Sequence, residues 1–199
     1  MKTVVHPLTA GLWPAFEDLF GARGACNGCW CMYWRIGPAY RKRPRELNRK
    51  DFFKIVEGGP PPGLLAFQGD LAVGWCQLTP RESLPVIDRN WRLRRVDDLP
   101  VWCISCFYVR IGHRRQGVTS ALIKGALKYA KAHGAMALEA YPLDADLTPS
   151  SSSTGYSTTF ERTGFQIIAR HFPPRPIMRY DFKAEARLSS GATEEDVHA

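Results

Sequence analysis

The chain has 199 residues, 45% hydrophobic and 23% charged, a balance that fits one globular domain with a real core and excludes a low-complexity polymer. Its formal charge of +8 welcomes anions, whether nucleic acid, an acidic membrane face or a phosphorylated cofactor. No segment approaches the roughly 20 apolar residues that span a bilayer, and His6, Pro7 and Thr9 interrupt the N-terminal run a signal peptide would need. The expected location is therefore cytoplasmic, with no membrane partner. There, the six cysteines are expected as thiols or ligands rather than a disulfide framework.

In chain order, residues 2–5 read as a short strand. Residues 7–20 read as an amphipathic helix carrying Leu8, Leu12, Phe16 and Leu19 at helical spacing. A cysteine-aromatic connection follows, then a helix from Pro44 to Gly58-Gly59. Residues 63–67 and 71–78 flank Gln68-Gly69-Asp70 as a hairpin. Residues 80–100, rich in Arg, Asp and Pro, read as a long and loose connection. An apolar strand is expected over 102–109, a helix over 119–133 stopped by Gly134, and a strand over 135–141. After a loop over 143–155 come a short helix at 157–162 and strands at 165–170 and 177–183. The polar, acidic tail, 184–199, reads as disordered beyond a domain of residues 1–183. The order is mixed α/β around a central sheet, with no repeated βαβ unit.

One segment joins a buried strand directly to a helix start: Val109-Arg-Ile111-Gly-His-Arg114-Arg115-Gln116-Gly117-Val118-Thr119. A helix N-terminus offers unpaired N–H groups and partial positive charge, so such a turn suits a diphosphate. Gly117 permits close backbone approach, and the arginines add charge-assisted contacts. With Arg114, Gly117 and Thr119 at the places of [Arg/Gln]-x-x-Gly-x-[Gly/Ala], the chain resembles the GCN5-related N-acetyltransferase (GNAT) superfamily. The helix pattern Leu122-Ile123-x-x-Ala126-Leu127-x-x-Ala130 and the late segment Phe160-Glu-Arg-Thr-Gly164-Phe165 extend that resemblance over residues 1–183 in element order.

The resemblance implies a mostly antiparallel central sheet flanked by helices, acetyl-CoA as co-substrate and a primary amine, on a small molecule or a protein, as acceptor. It places Val109 and Ile111 on the pantetheine arm, and Arg114, Arg115, Gln116, Gly117, Val118 and Thr119 around the pyrophosphate. The Val109 N–H is the candidate oxyanion donor. It implies a tyrosine in the last helix as acid, where this chain has Phe160; Tyr156 is the nearby substitute, with packing as its plainer role. Glu139, inside the apolar run 136–141, is the candidate base, against a structural hydrogen-bonded glutamate.

The stretch Cys26-Asn-Gly-Cys29-Trp30-Cys31-Met-Tyr33-Trp34 would wall the acceptor site. Three readings compete: a zinc site with Cys103 and Cys106, a cysteine nucleophile, and a packed aromatic wall. Strand alternation sets Cys103 and Cys106 on opposite faces unless a bulge intervenes, which favours the wall and no metal. Trp30, Tyr33 and Trp34 then serve an apolar or aromatic acceptor. Rival readings are use of a bulkier acyl-CoA, CoA binding without catalysis, and a basic cysteine-rich nucleic-acid module. The last lacks regularly interleaved cations and aromatics, so no nucleic acid is expected. A homodimer is compatible with all of these.

Overall fold

The computed structural model describes residues 2–144 and 153–182. The tail 184–199 and much of the loop expected at 143–155 lie outside the described residues. Strand β1 (Val4–Pro7) leads through a 3-10 turn into α1 (Trp13–Phe20), α2 (Tyr33–Ile36) and α3 (Arg45–Gly58). The hairpin β2 (Gly63–Gln68) and β3 (Leu71–Pro80) follows, then α4 (Pro85–Arg89), β4 (Trp102–Val109), α5 (Val118–Ala132) and β5 (Ala137–Ala140). The short α6 (Ser157–Glu161) and the hairpin β6 (Gln166–Phe172) and β7 (Arg175–Asp181) complete it.

These strands make one seven-stranded sheet in the order β1-β2-β3-β4-β5-β7-β6. Every pairing is antiparallel except β4 with β5. Alternation along the strands divides the core between two faces. On one, Ile104 and Phe107 pack with Leu122, Ile123 and Ala126 of α5 and with Phe160. On the other, Trp75 and Leu65 pack beneath Phe16, Phe20, Trp30 and Phe52. Each fully buried ring or branched chain here contributes about 1.5–3 kcal/mol of transfer free energy.

The first helix is shorter than its periodicity suggests, beginning at Trp13 rather than residue 7. Pro7 instead ends the edge strand β1, where its missing N–H leaves no ladder bond unmade, and Pro14 takes the first helical turn. The 80–100 connection is a correction of substance. It is folded as α4 and two 3-10 turns, and pins Leu84, Ile87 and Leu93 at zero exposure beside Cys103 and Tyr141. Arg81, at 1% exposure, anchors its start.

Candidate functional site

The site begins where β4 and β5 part. Their parallel pairing covers only Trp102↔Leu138, Cys103↔Glu139 and Ile104↔Ala140; β5 then ends while β4 runs on to Val109. The Arg110 N–H donates to the Val73 carbonyl of β3 at 2.9 Å, so by alternation Val109 and Phe107 turn their N–H groups to the other edge, into the opening. The Phe107 N–H is taken by the Ser153 carbonyl, and the Ser105 carbonyl accepts from the Trp34 indole at 2.9 Å.

At the end of β4 the turn carries three left-handed residues, Gly112 (φ 91°), Arg115 (φ 60°) and Gly117 (φ 78°). A Cβ placed on Gly112 or Gly117 meets nothing within 4 Å, so the space before the turn is open. The first backbone bond of α5 runs from the Ala121 N–H to the Gly117 carbonyl at 3.0 Å, leaving the N–H groups of Val118, Thr119 and Ser120 with no partner inside the helix. The turn is held by Arg114 Nε to the Val109 carbonyl at 3.2 Å and Gln116 Nε2 to the Gly112 carbonyl at 2.8 Å. Arg114, Arg115 and Ile111 are exposed. Free N–H groups, a helix dipole and two exposed guanidinium groups together suit a pyrophosphate.

A pocket of about 590 Å³ adjoins the opening on the α1 side of the sheet. Tyr33 and Trp34 line it; Trp30 does not. Left-handed backbone at Trp30 (φ 44°) and Cys31 (φ 55°) turns that indole inward, where it is 3% exposed and stacks on Trp13 and Phe20. The space it fills exists because residue 24 is glycine: a Cβ there would stand 2.2 Å from the Trp30 indole nitrogen. The substrate contact expected of Trp30 is thus corrected to a core position.

Four thiols, Cys26, Cys29, Cys31 and Cys106, line the same pocket. Strict alternation misleads in β4: the register with β3 slips between Gln77↔Cys106 and Leu78↔Ile104, leaving Ser105 as a bulge. Cys103 and Cys106 therefore lie on one face, Cys103 packed beside Tyr141 and Cys106 at the pocket, and the expectation of opposite faces is overturned. Gln77 locks the bulge, accepting from Ser105 Oγ at 2.9 Å and donating to the Cys31 carbonyl at 3.2 Å. Among the described residues no group of three His, Cys, Asp or Glu side chains is set to hold a metal. Burial pushes the Cys29 thiol up to about 11 and also raises Cys31, whose sulfur accepts from Trp75 Nε1 at 3.0 Å. The neighbouring Cys31 side chain holds the Cys106 thiol below its ordinary value, and Cys106 Sγ donates to the Phe107 carbonyl at 3.7 Å.

The candidate base Glu139 is 2% exposed and not among the pocket-lining residues. Its Oε2 accepts from Arg81 and the Tyr141 hydroxyl at 2.9 Å each, and its Oε1 from Arg179 at 2.7 Å. Both oxygens are committed to cations, which leaves no basic lone pair facing an amine. Tyr156 is half-buried at the N-cap of α6 and is not among the pocket-lining residues either; its backbone bridges to Leu143, which is. Phe160 packs on Phe107 and Phe165 with centroids at 6.0 and 5.1 Å. Sequence reading missed Gln77, Arg92 and Arg175 in the lining. Arg175 carried one legible signal, a cation between Pro174 and Pro176 at the head of an apolar strand.

A mixed α/β sheet opened between its parallel neighbours, with an anion-ready turn on one side and an acceptor-sized pocket on the other, defines an acyltransferase-like architecture. A sequence profile described as the Acetyltransferase (GNAT) family matches residues 28–147, more than half of the chain, and the chain belongs to that family. No curated protein sequence matches it. Among solved structures it is similar to one described as histone acetyltransferase HPA2 and related acetyltransferase from Corynebacterium glutamicum, at 19% identity and TM-score 0.55, covering 90% of this chain and 96% of that one. PaiA N-acetyltransferase from Thermoplasma acidophilum, solved with coenzyme A, gives 16%, 0.52, 92% and 100%. Polyamine N-acetyltransferase from Drosophila melanogaster gives 11%, 0.51, 89% and 97%. At these identities the likeness establishes the shared fold.

Proposed function

We propose that the chain is an N-acetyltransferase that moves the acetyl group of acetyl-CoA directly onto a primary amine seated in the Tyr33/Trp34 pocket. The observation that carries this reading is the free edge of β4: the Val109 N–H faces the opening, next to the open turn at the head of α5. Acetyl-CoA supplies the activated thioester. The backbone of Val109 and Ile111 pairs with the pantetheine arm, and Arg114, Arg115, Gln116, Gly117, Val118 and Thr119 hold the pyrophosphate. The Val109 N–H stabilises negative charge developing on the carbonyl oxygen.

The attacking amine must be neutral. Among the described residues no carboxylate lines the pocket, whereas Arg41, Arg92 and Arg175 do. Nearby like charge disfavours an ammonium, so whatever positive charge of this lining the acceptor leaves unpaired lowers the amine's pKa, and water accepts the proton. Tyr156, at the head of α6 next to the pocket residue Leu143, is the proposed donor to the departing thiolate. The test is CoA release across an amine panel, paired with calorimetric acetyl-CoA titration. Tyr156→Phe is expected to lower kcat about tenfold with acetyl-CoA affinity kept. Tight acetyl-CoA binding with no amine ever acetylated would instead mean a CoA-binding protein without catalysis.

A further inference from the structure

The arginines withdrawn from water are unevenly provided with carboxylates. Arg81 and Arg179 lie largely out of water, and each is held by two carboxylates: Asp88 and Glu139 for the first, Asp97 and Glu139 for the second. Arg175 lines the pocket and has none among the described residues. Its Nη1 donates to the Tyr141 carbonyl at 2.6 Å and to Thr154 Oγ1 at 2.8 Å, both neutral acceptors that fix the guanidinium in place. The Nε and Nη2 edge makes no hydrogen bond to a described residue. Burial holds Arg175 below its ordinary value, and the neighbouring charge of Arg92 lowers it further.

Arg92 lines the same pocket, its guanidinium 4.5 Å from the Phe172 ring centroid and likewise without a carboxylate among the described residues. Two guanidinium groups that repel across a cavity, one of them oriented by two hydrogen bonds, form a site short of an anion. The aromatic Tyr33, Trp34 and Phe172 stand in the same lining.

We infer that Arg175, with Arg92, is the anion subsite of the acceptor pocket, and that the acceptor is a small amino carboxylate with an aromatic or apolar body. The inference rests on the proposed acetyl transfer for the role of the amine, but the subsite stands on the arginines alone. A planar carboxylate matches the free edge of a guanidinium in paired hydrogen bonds, and its charge relieves the Arg92–Arg175 repulsion. A polyamine meets the opposite situation: cations on the wall and no carboxylate among the described lining residues to receive it.

Calorimetric titration of the full chain without acetyl-CoA tests this, using 3-phenylpropionate and its neutral isostere 3-phenylpropionamide as probes. The acid is expected to bind at least about tenfold tighter than the amide. Arg175→Gln is expected to erase that preference and Arg175→Lys to restore part of it, each with acetyl-CoA affinity unchanged. Because Arg175 also ties down Tyr141 and Thr154, Arg92→Gln is the second variant; Arg92 is exposed, and its loss should weaken the acid selectively. Equal affinity for acid and amide, no binding of either, or a preference that survives both glutamine variants would overturn the subsite. A failure of acetyl-CoA to bind would instead sink the acetyl-transfer reading and leave the probe result readable.

Discussion

Arg81 and Glu139 meet at 2.9 Å with side chains only 1% and 2% exposed, joining the 80–100 connection to β5. Asp88, Tyr141 and Arg179 complete the network, so that every charge in it is opposed. Removing one member of such a set leaves an uncompensated buried charge, a loss of about 3–5 kcal/mol. Glu139→Gln is therefore expected to destabilise the fold by about that much in urea unfolding. Any fall in activity should track the unfolded fraction. Recovery of activity at high pH, with stability intact, would return Glu139 to the role of base.

The same pair shows where sequence reading stops. The strand–turn–helix from 102 to 132 was legible because glycine, arginine and helical periodicity are local signals, and α5 falls within one residue of its expected bounds. Arg81 was not, because nothing local separates a buried arginine from a solvated one in a segment already rich in Arg and Asp; its buried carboxylate partner, Glu139, is 58 residues away. The Ser105 bulge is likewise set by Gln77 and Trp34, on other elements, and it overturned the facing of Cys106. Trp30 was misplaced for a related reason, since a left-handed tryptophan is dictated by the cavity above Gly24 rather than by its neighbours in sequence.

Gly117 sits at φ 78° as N-cap of α5, directly before the free N–H groups. Gly117→Asp brings a strained backbone and a negative charge to the proposed pyrophosphate position. The expected result is acetyl-CoA binding weakened by more than about tenfold, about 1.4 kcal/mol, with the far-UV spectrum retained. Undiminished affinity in the folded variant would remove the donor site from this turn.

Asp97 accepts from both terminal nitrogens of Arg179, at 2.6 and 2.9 Å, and those bonds hold its carboxyl below the ordinary range. A carboxyl depressed in the folded state contributes stability above its unfolded pKa of about 3.9, and that contribution disappears as pH falls through the lower folded value. Asp97→Asn should lower Tm at pH 7, with the difference from the parent narrowing as pH falls below about 4. Because Asp97 is largely exposed, the effect at pH 7 should be modest, and salt should reduce it. A difference that stays constant down to pH 2 would show that the charge paired with Arg179 is not its source.

The four pocket thiols should differ sharply in reactivity. Alkylation requires the thiolate, and burial raises Cys26, Cys29 and Cys31 while the Cys31 side chain lowers Cys106. At neutral pH iodoacetamide should label Cys106 ahead of Cys26, although Cys26 is the more exposed. Cys31→Ala deletes that neighbour and should slow the labelling severalfold, with the alkylation pH profile moving upward. The same wall argues against a structural metal: the Cys31 sulfur already accepts from the Trp75 indole. A chelator is accordingly expected to leave Tm unchanged. Stoichiometric zinc, unfolding on chelation and protection of all four thiols by the metal would together make the stretch from Cys26 to Cys31 a metal-stapled loop. Preferred labelling of Cys26 over Cys106, with no effect of Cys31→Ala, would break the proposed link between Cys31 and Cys106.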